Sequence, residues 1–175
     1  MADSKSDSII GGHFATNPAV IPLQTSLEHC LDNGLWQYAC QVYSQDGVEA
    51  ALLALQDDHG ADINLILQAL WLANEGREWA KACIPNDYSK WMAEQVLPLR
   101  QMRRSMKISW SQQEDFRQQV KKLELKAEQY ALAMLFVSSD KEESGEVGSV
   151  ISNLTLLAEY LDLSFDRFDQ LILLV

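Results

Sequence analysis

The run INLILQALWLAN, Ile63 to Asn74, constrains the fold more than any other stretch of this chain. It is apolar almost all round the helical turn, so a helix built from it has to be covered by neighbours on most sides instead of along one stripe. Asp62 stands where an N-cap belongs and Gly76 where a helix stops, which places a central helix over about Asp62 to Glu75. Such a helix demands a surrounding shell.

The remaining sequence is patterned to supply that shell. Leu35, Tyr38, Ala39 and Val42 share one helical face, Asp46-Gly47 breaks the pattern, and Val48, Ala51, Leu52 and Leu55 resume it until Gly60 offers a left-handed stop. TSLE, Thr25 to Glu28, fits a capping box whose short turn ends at Asn33-Gly34, and Asn86 is placed to cap a helix from Asp87. Met92, Val96, Leu99, Met102 and Met106 form the next stripe. Pro98 lies inside it, which predicts either a kink near Glu94 to Leu97 or a fresh helix with proline at its first position. SQQE, Ser111 to Glu114, reads as a second capping box opening the longest helix, whose apolar positions Phe116, Val120, Leu123, Ala127, Tyr130, Met134 and Val137 keep a four-three spacing. That seam suits the chain's own core or a second copy of the chain. Val150, Leu154, Leu157 and Leu161 mark another helix, and a last one is expected from Phe165 onward. Strand alternation is absent. The expectation is an all-α, single-domain bundle of six to eight helices around a buried central helix, spanning 23–175, with an acidic loop at 138–149 and a disordered tail at 1–22 rich in Ser, Asp, Gly, Asn and Pro.

Charge narrows the partners. The net charge of −11 argues against a nucleic-acid binder, which needs a basic surface to neutralise phosphate. Its distribution is uneven: Arg77 to Lys126 holds eleven Lys or Arg against six Asp or Glu, whereas the remainder holds three against nineteen. Cys30, Cys40 and Cys83 are scattered and form no C-x-x-C pair, so a zinc cluster or disulfide framework is not expected. The first residues lack an apolar signal core, and no apolar run is long enough to span a bilayer. A cytoplasmic chain that does not engage a membrane is the expectation.

Asp57, Asp58, His59 and Asp62 cluster beside the central helix and raise the possibility of a metal or diphosphate site. Gly60 breaks the helix between Asp58 and Asp62, and there is no H-E-x-x-H pattern, so helix-turn-helix punctuation with no metal is the better reading. No nucleophile elbow, P-loop or Rossmann glycine fingerprint is present, so no catalytic residue and no cofactor is assigned. Two constellations remain. Arg100, Arg103, Arg104 and Lys107 fall at i, i+3, i+4 and i+7, gathering four cations on one helix face. Like charges so placed repel, so they require carboxylates of the same chain, an anionic ligand or an acidic partner surface. Asn64, Gln68, Trp71 and Glu75 make a polar line on the central helix, suited to an interhelical hydrogen-bond network or to a pocket between helices.

The segments GLWQYACQVYSQDGVEAALLALQDDHGADINLILQALWLA, WMAEQVLPLRQMRRSMK and VKKLELKAEQYAL resemble a small proteobacterial family catalogued only as a domain of unknown function. The resemblance covers about Asn33 to Leu132 and is most specific at Gln56 to Trp71 and at PLRQMRR. It implies a helical cytoplasmic protein with no assigned reaction. The residues themselves favour a non-enzymatic interaction protein that meets a protein partner through the basic helix face, with homo-oligomerisation also open. The alternative is a bundle holding a small anionic ligand in the groove between the central and basic helices, with a reaction on that ligand left open.

Overall fold

The computed structural model describes residues 27–141 and 147–175. The expected tail at 1–22, and Thr25 of the first expected capping box, lie outside the described residues. Among these residues the protein is all-α, a multi-helix bundle with no strand; one isolated bridge joins Arg77 to Val147.

The central helix is α3, Ile63–Asn74, and ten of its residues, Ile63 to Leu72, are buried. Around it stand α1 (Gly34–Tyr43), α2 (Val48–His59), α6 (Glu114–Lys141) and α7 (Val150–Leu161), each packed directly on α3. Leu35, Ala39 and Val42 of α1, Val48, Ala51, Leu52 and Leu55 of α2, Leu132 and Leu135 of α6, and Leu154 and Leu157 of α7 close the core over it. Burying ten consecutive residues is possible because every side of α3 has a neighbour, which removes water from both apolar and amide groups.

The turns explain how the helices are set. Gly60, at φ +68°, ends α2, and the Asp62 carboxylate accepts the Asn64 amide at 3.0 Å to start α3. Asn33-Gly34 does not end a helix as expected. Asn33 is the N-cap of α1: its side chain accepts the Trp36 amide at 2.9 Å and donates to the Cys30 carbonyl at 2.7 Å, an arrangement that satisfies an otherwise orphan donor. Asn86 does not cap either, since the short α4 (Tyr88–Trp91) starts after Asp87 without a side-chain cap.

Beyond α4 the chain widens into a π-helical stretch, Met92–Val96, and then continues as α5, Leu97–Ser109, with Pro98 in its first turn. Neither expected form is seen as such: the chain stays helical through Pro98, the second residue of α5, and the wide turn ahead of the ring relieves the clash with the preceding carbonyl. α6 opens at Glu114, so Glu114 cannot be the fourth residue of a capping box; it sits in the first turn and bonds Arg117 and Gln118. The same helix continues through Ser138 to Lys141, into the segment read as loop. The C-terminal helix expected from Phe165 is split into a 3-10 turn, Phe165–Phe168, and a short α8, Asp169–Ile172, which packs on α2.

α5 packs chiefly on the N-terminal half of α6, and the pair forms a helical hairpin, called the arm below. The C-terminal half of α6 belongs to the core. Its expected seam is therefore split: Val120, Ala127 and Met134 are buried, whereas Phe116 and Leu123 are exposed.

Candidate functional site

The predicted basic face lies on α5, and three of its four cations are paired within the chain. Arg100 donates to Glu128 at 2.5 Å and to Glu124 at 3.4 Å, and Arg103 forms a two-pronged bond with Glu124, its Nη2 reaching Oε1 at 3.0 Å. Glu124 is only 4% exposed and stands on the same face of α6 as Val120 and Ala127. Arg104 turns the other way and meets Asp57 of α2 at 2.8 Å, with both side chains about half exposed, at 49% and 52%. Lys107 is exposed. The mutual repulsion that the i, i+3, i+4 spacing creates is thus relieved by carboxylates arriving from α6 and α2.

This ion cluster is continuous with the start of the central helix. The Tyr88 hydroxyl donates to the second oxygen of Asp62 at 2.9 Å, and Asn64 points its amide at Met92 Sδ at 3.7 Å. Burial pushes the Asp62 carboxyl upward, against the bonds from Tyr88 and from the Asn64 and Leu65 amides. Burial likewise drives the Tyr88 phenol well above its usual range, reinforced by the charge of Asp62, and it raises Glu128 against the pull of Arg100. The Tyr43 hydroxyl is pushed up to about 12, by burial first and by the Glu128 charge second. For Arg100 burial acts downward, but Glu128 and Glu124 more than reverse it. The donors of Arg100 and Arg103 are directed at carboxylates, so this cluster acts as a joint between α5 and α6 and offers a small anion little, while Arg104 with Asp57 ties α5 to α2.

The polar line on α3 is divided. Gln68 is fully buried and forms the hub of a network: its amide donates to the Cys83 carbonyl at 3.0 Å and to Ser139 Oγ at 2.8 Å, while its oxygen accepts Trp79 Nε1 at 3.1 Å. Asn153 of α7 extends the network, accepting the Trp79 amide at 3.0 Å and donating to the carbonyls of Ala69 and Arg77 at 3.0 and 2.9 Å. Trp71 packs its ring 5.5 Å from that of Phe136. Glu75 is exposed beyond the end of the helix and takes no part. Among the described residues every buried side-chain nitrogen or oxygen has a partner, so the buried amides of the line, Asn64 and Gln68, are met by groups of the protein itself.

Asp57, Asp58 and His59 do not converge with Asp62. Asp57 faces Arg104, and Asp58 and His59 edge an open hollow of about 330 Å³ shared with Asp166, Arg167 and Asp169. Among the described residues no three His, Cys, Asp or Glu side chains are grouped to hold a metal ion. Among them, too, no helix is long and apolar enough to cross a membrane.

Sequence reading missed the apolar surface of the arm. Ile108 and Trp110, 85% and 61% exposed, stand at its tip with Phe116, and Met102 and Leu123 lie farther back, also exposed. Between 97 and 126 the chain carries eight Lys or Arg against three Asp or Glu, so this apolar surface is set in a basic field. The signal was present as large apolar residues in a strongly polar turn, ISWSQQEDF.

A family model described as "Protein of unknown function (DUF2390)" matches residues 34–135. The chain belongs to the DUF2390 family. The match to DUF2390 begins at the first residue of α1 and ends inside α6, so it contains the arm, the ion joint and Gln68, whereas Ser139 and Asn153 lie beyond it. No curated protein and no solved structure matches the chain.

Proposed function

We propose that this DUF2390 member is a cytosolic, non-enzymatic interaction protein that engages a protein partner through the α5–α6 arm. The observation that carries the reading is the exposure of Ile108, Trp110 and Phe116 together at the tip of a basic hairpin. Large aromatic and aliphatic side chains left uncovered in one place characterise recognition surfaces, since anchors of this kind supply most of the energy of protein association. The cations have two tasks. Arg100 and Arg103 hold α5 on α6, whereas Arg104, Lys107, Lys121, Lys122 and Lys126 remain at or near the surface to steer an acidic partner.

Affinity capture from native cytosol tests this, with a Trp110→Glu, Phe116→Glu variant as control. Both residues are exposed, so circular dichroism and melting temperature are expected to stay at wild-type values while specific partners disappear. An identical set of captured proteins for wild type and variant would overturn the proposal. Reversing Arg100 or Arg103 is not a suitable control, because those side chains support the arm.

A further inference from the structure

One flank of α6, in its C-terminal half, is already used by the chain itself. The helical turn at Leu27, with Leu31 four residues on, packs against Tyr130, Ala133, Met134 and Val137 of α6 and against Trp91, and the Gln129 amide fastens it by donating to the Leu31 carbonyl at 3.0 Å. The Tyr130 and Trp91 rings meet at a tilt, their centroids 5.7 Å apart, at the edge of this contact. Going back along α6 from Tyr130 in steps of seven reaches Leu123 and then Phe116, both exposed, so the apolar track that holds Leu27 and Leu31 runs on toward the arm's tip uncovered by any other of the described residues. On α5 the helical spacing places Leu99, Met102 and Met106 on the same side, opposite the side where Arg100 meets Glu128 and Arg104 meets Asp57. Lys122 and Lys126 edge the track on α6, and the Lys126 ammonium lies 5.5 Å over the Tyr130 ring.

We infer that this track between α5 and α6 is the docking groove for an acidic amphipathic helix supplied by the protein partner, which completes a three-helix bundle along the arm. The inference deepens the proposed function and rests on it. A seven-residue repeat of apolar positions is what a helix laid nearly parallel to α6 requires, because successive turns of both then meet at the same face. The contact of Leu27 and Leu31 shows the mode in miniature: one helical turn, leucines four residues apart, seated on the same α6 flank. Acidic residues along one edge of the incoming helix meet Lys122 and Lys126, and its apolar stripe covers Leu123, Phe116 and Met102.

The test uses the full chain and a fluorescein-labelled synthetic amphipathic helix about three heptads long, with leucine at the seam positions and glutamate on its flanks. A second peptide carries lysine in place of the flanking glutamates. Fluorescence anisotropy is expected to show saturable binding of the acidic peptide, weakened at least about tenfold by Leu123→Asp, the loss of a single buried anchor. Lys122→Glu with Lys126→Glu should transfer preference to the lysine peptide. Equal binding of both peptides to the wild-type chain, or no effect of Leu123→Asp with the helical spectrum intact, overturns the inference. A photo-crosslinking residue at position 123 then identifies what occupies the track in cells. Attachment to an acidic helix of another protein supports the inference; attachment to residues 1–26, to a second copy of this chain, or to a basic or extended segment overturns it. If the Trp110→Glu, Phe116→Glu control loses its partners while the crosslinks map to such a segment, the arm remains the contact surface and only the helix-in-groove inference falls.

Discussion

Reversing one arginine and then its neighbour separates a structural cation from a surface one. Arg103→Glu adds a third carboxylate to Glu124 and Glu128 and sets it against Glu124, which is 4% exposed and ion-paired with Arg100 and Arg103. Breaking a buried pair by removing one partner typically costs about 3 to 5 kcal/mol. Arg103 is itself partly exposed and Arg100 still faces Glu124, so the lower end, about 3 kcal/mol, is expected. For a chain of this size about 1 kcal/mol moves the melting temperature by roughly 2 to 4 °C, which makes the expected loss roughly 6 to 12 °C. Arg104→Glu removes a half-exposed pair with Asp57 and should cost no more than about 1 kcal/mol. A further variant with Glu124→Met, Glu128→Met, Arg100→Leu and Arg103→Leu should recover most of the loss, because a buried ion cluster replaced as a unit by apolar side chains is often neutral or stabilising. Thermal and urea denaturation of the three proteins provide the check. Equal, small shifts for Arg103→Glu and Arg104→Glu would refute the assignment of Arg103 to the joint.

Gly148 allows no side chain: a Cβ there would stand 2.0 Å from the Arg77 carbonyl oxygen, so Gly148→Ala should destabilise by on the order of 3 kcal/mol in urea denaturation. Gln68→Leu removes the acceptor of Trp79 Nε1 in the core, while Ser139 keeps its bond to the Leu135 carbonyl, and should cost about 1 to 3 kcal/mol, whereas a melting curve matching wild type would show that the network contributes nothing. The pH dependence of Glu128 has a definite sign. Its folded pKa is raised above the ordinary 4.5, so between the two values the native state holds more proton than the unfolded chain, and this contribution to stability falls as pH rises through that window. Comparing wild type with Glu128→Gln across acidic pH should show this decline only in wild type, while the raised Asp62 carboxyl adds a decline of the same sign to both proteins.

Much of the bundle could be read from periodicity. The bounds of α3, the left-handed Gly60 and the capping role of Asp62 all follow from local chemistry that operates within a few residues. Asn33-Gly34 departs from expectation because the same pair is suited to ending one helix or starting the next, and what decides between them is whether the Asn33 oxygen finds the Trp36 amide. The fate of the arginines was less accessible. Their spacing required compensation, but only the register of α5 against α6 brings Glu124 and Glu128 opposite Arg100 and Arg103. A partial clue existed in Glu124, a carboxylate on the helical face it shares with Val120, Ala127 and Ala131. Gln68 was legible as a buried amide, but its partners come from residues 79, 83, 135 and 139, which no local pattern connects.

The π-helical stretch at Met92–Val96 also fixes the rotational phase of everything after it. Each residue advances an α-helix by about 100°, so the wider turn shifts the azimuth of α5 relative to α4 by a fraction of a revolution. Were the same five residues to wind as regular α turns instead, Arg100 and Arg103 would swing off the meridian of Glu124, carrying Met102 and Ile108 round with them. A five-residue irregularity therefore works as a vernier on the arm, setting which longitude of α5 is committed to the joint and which faces outward.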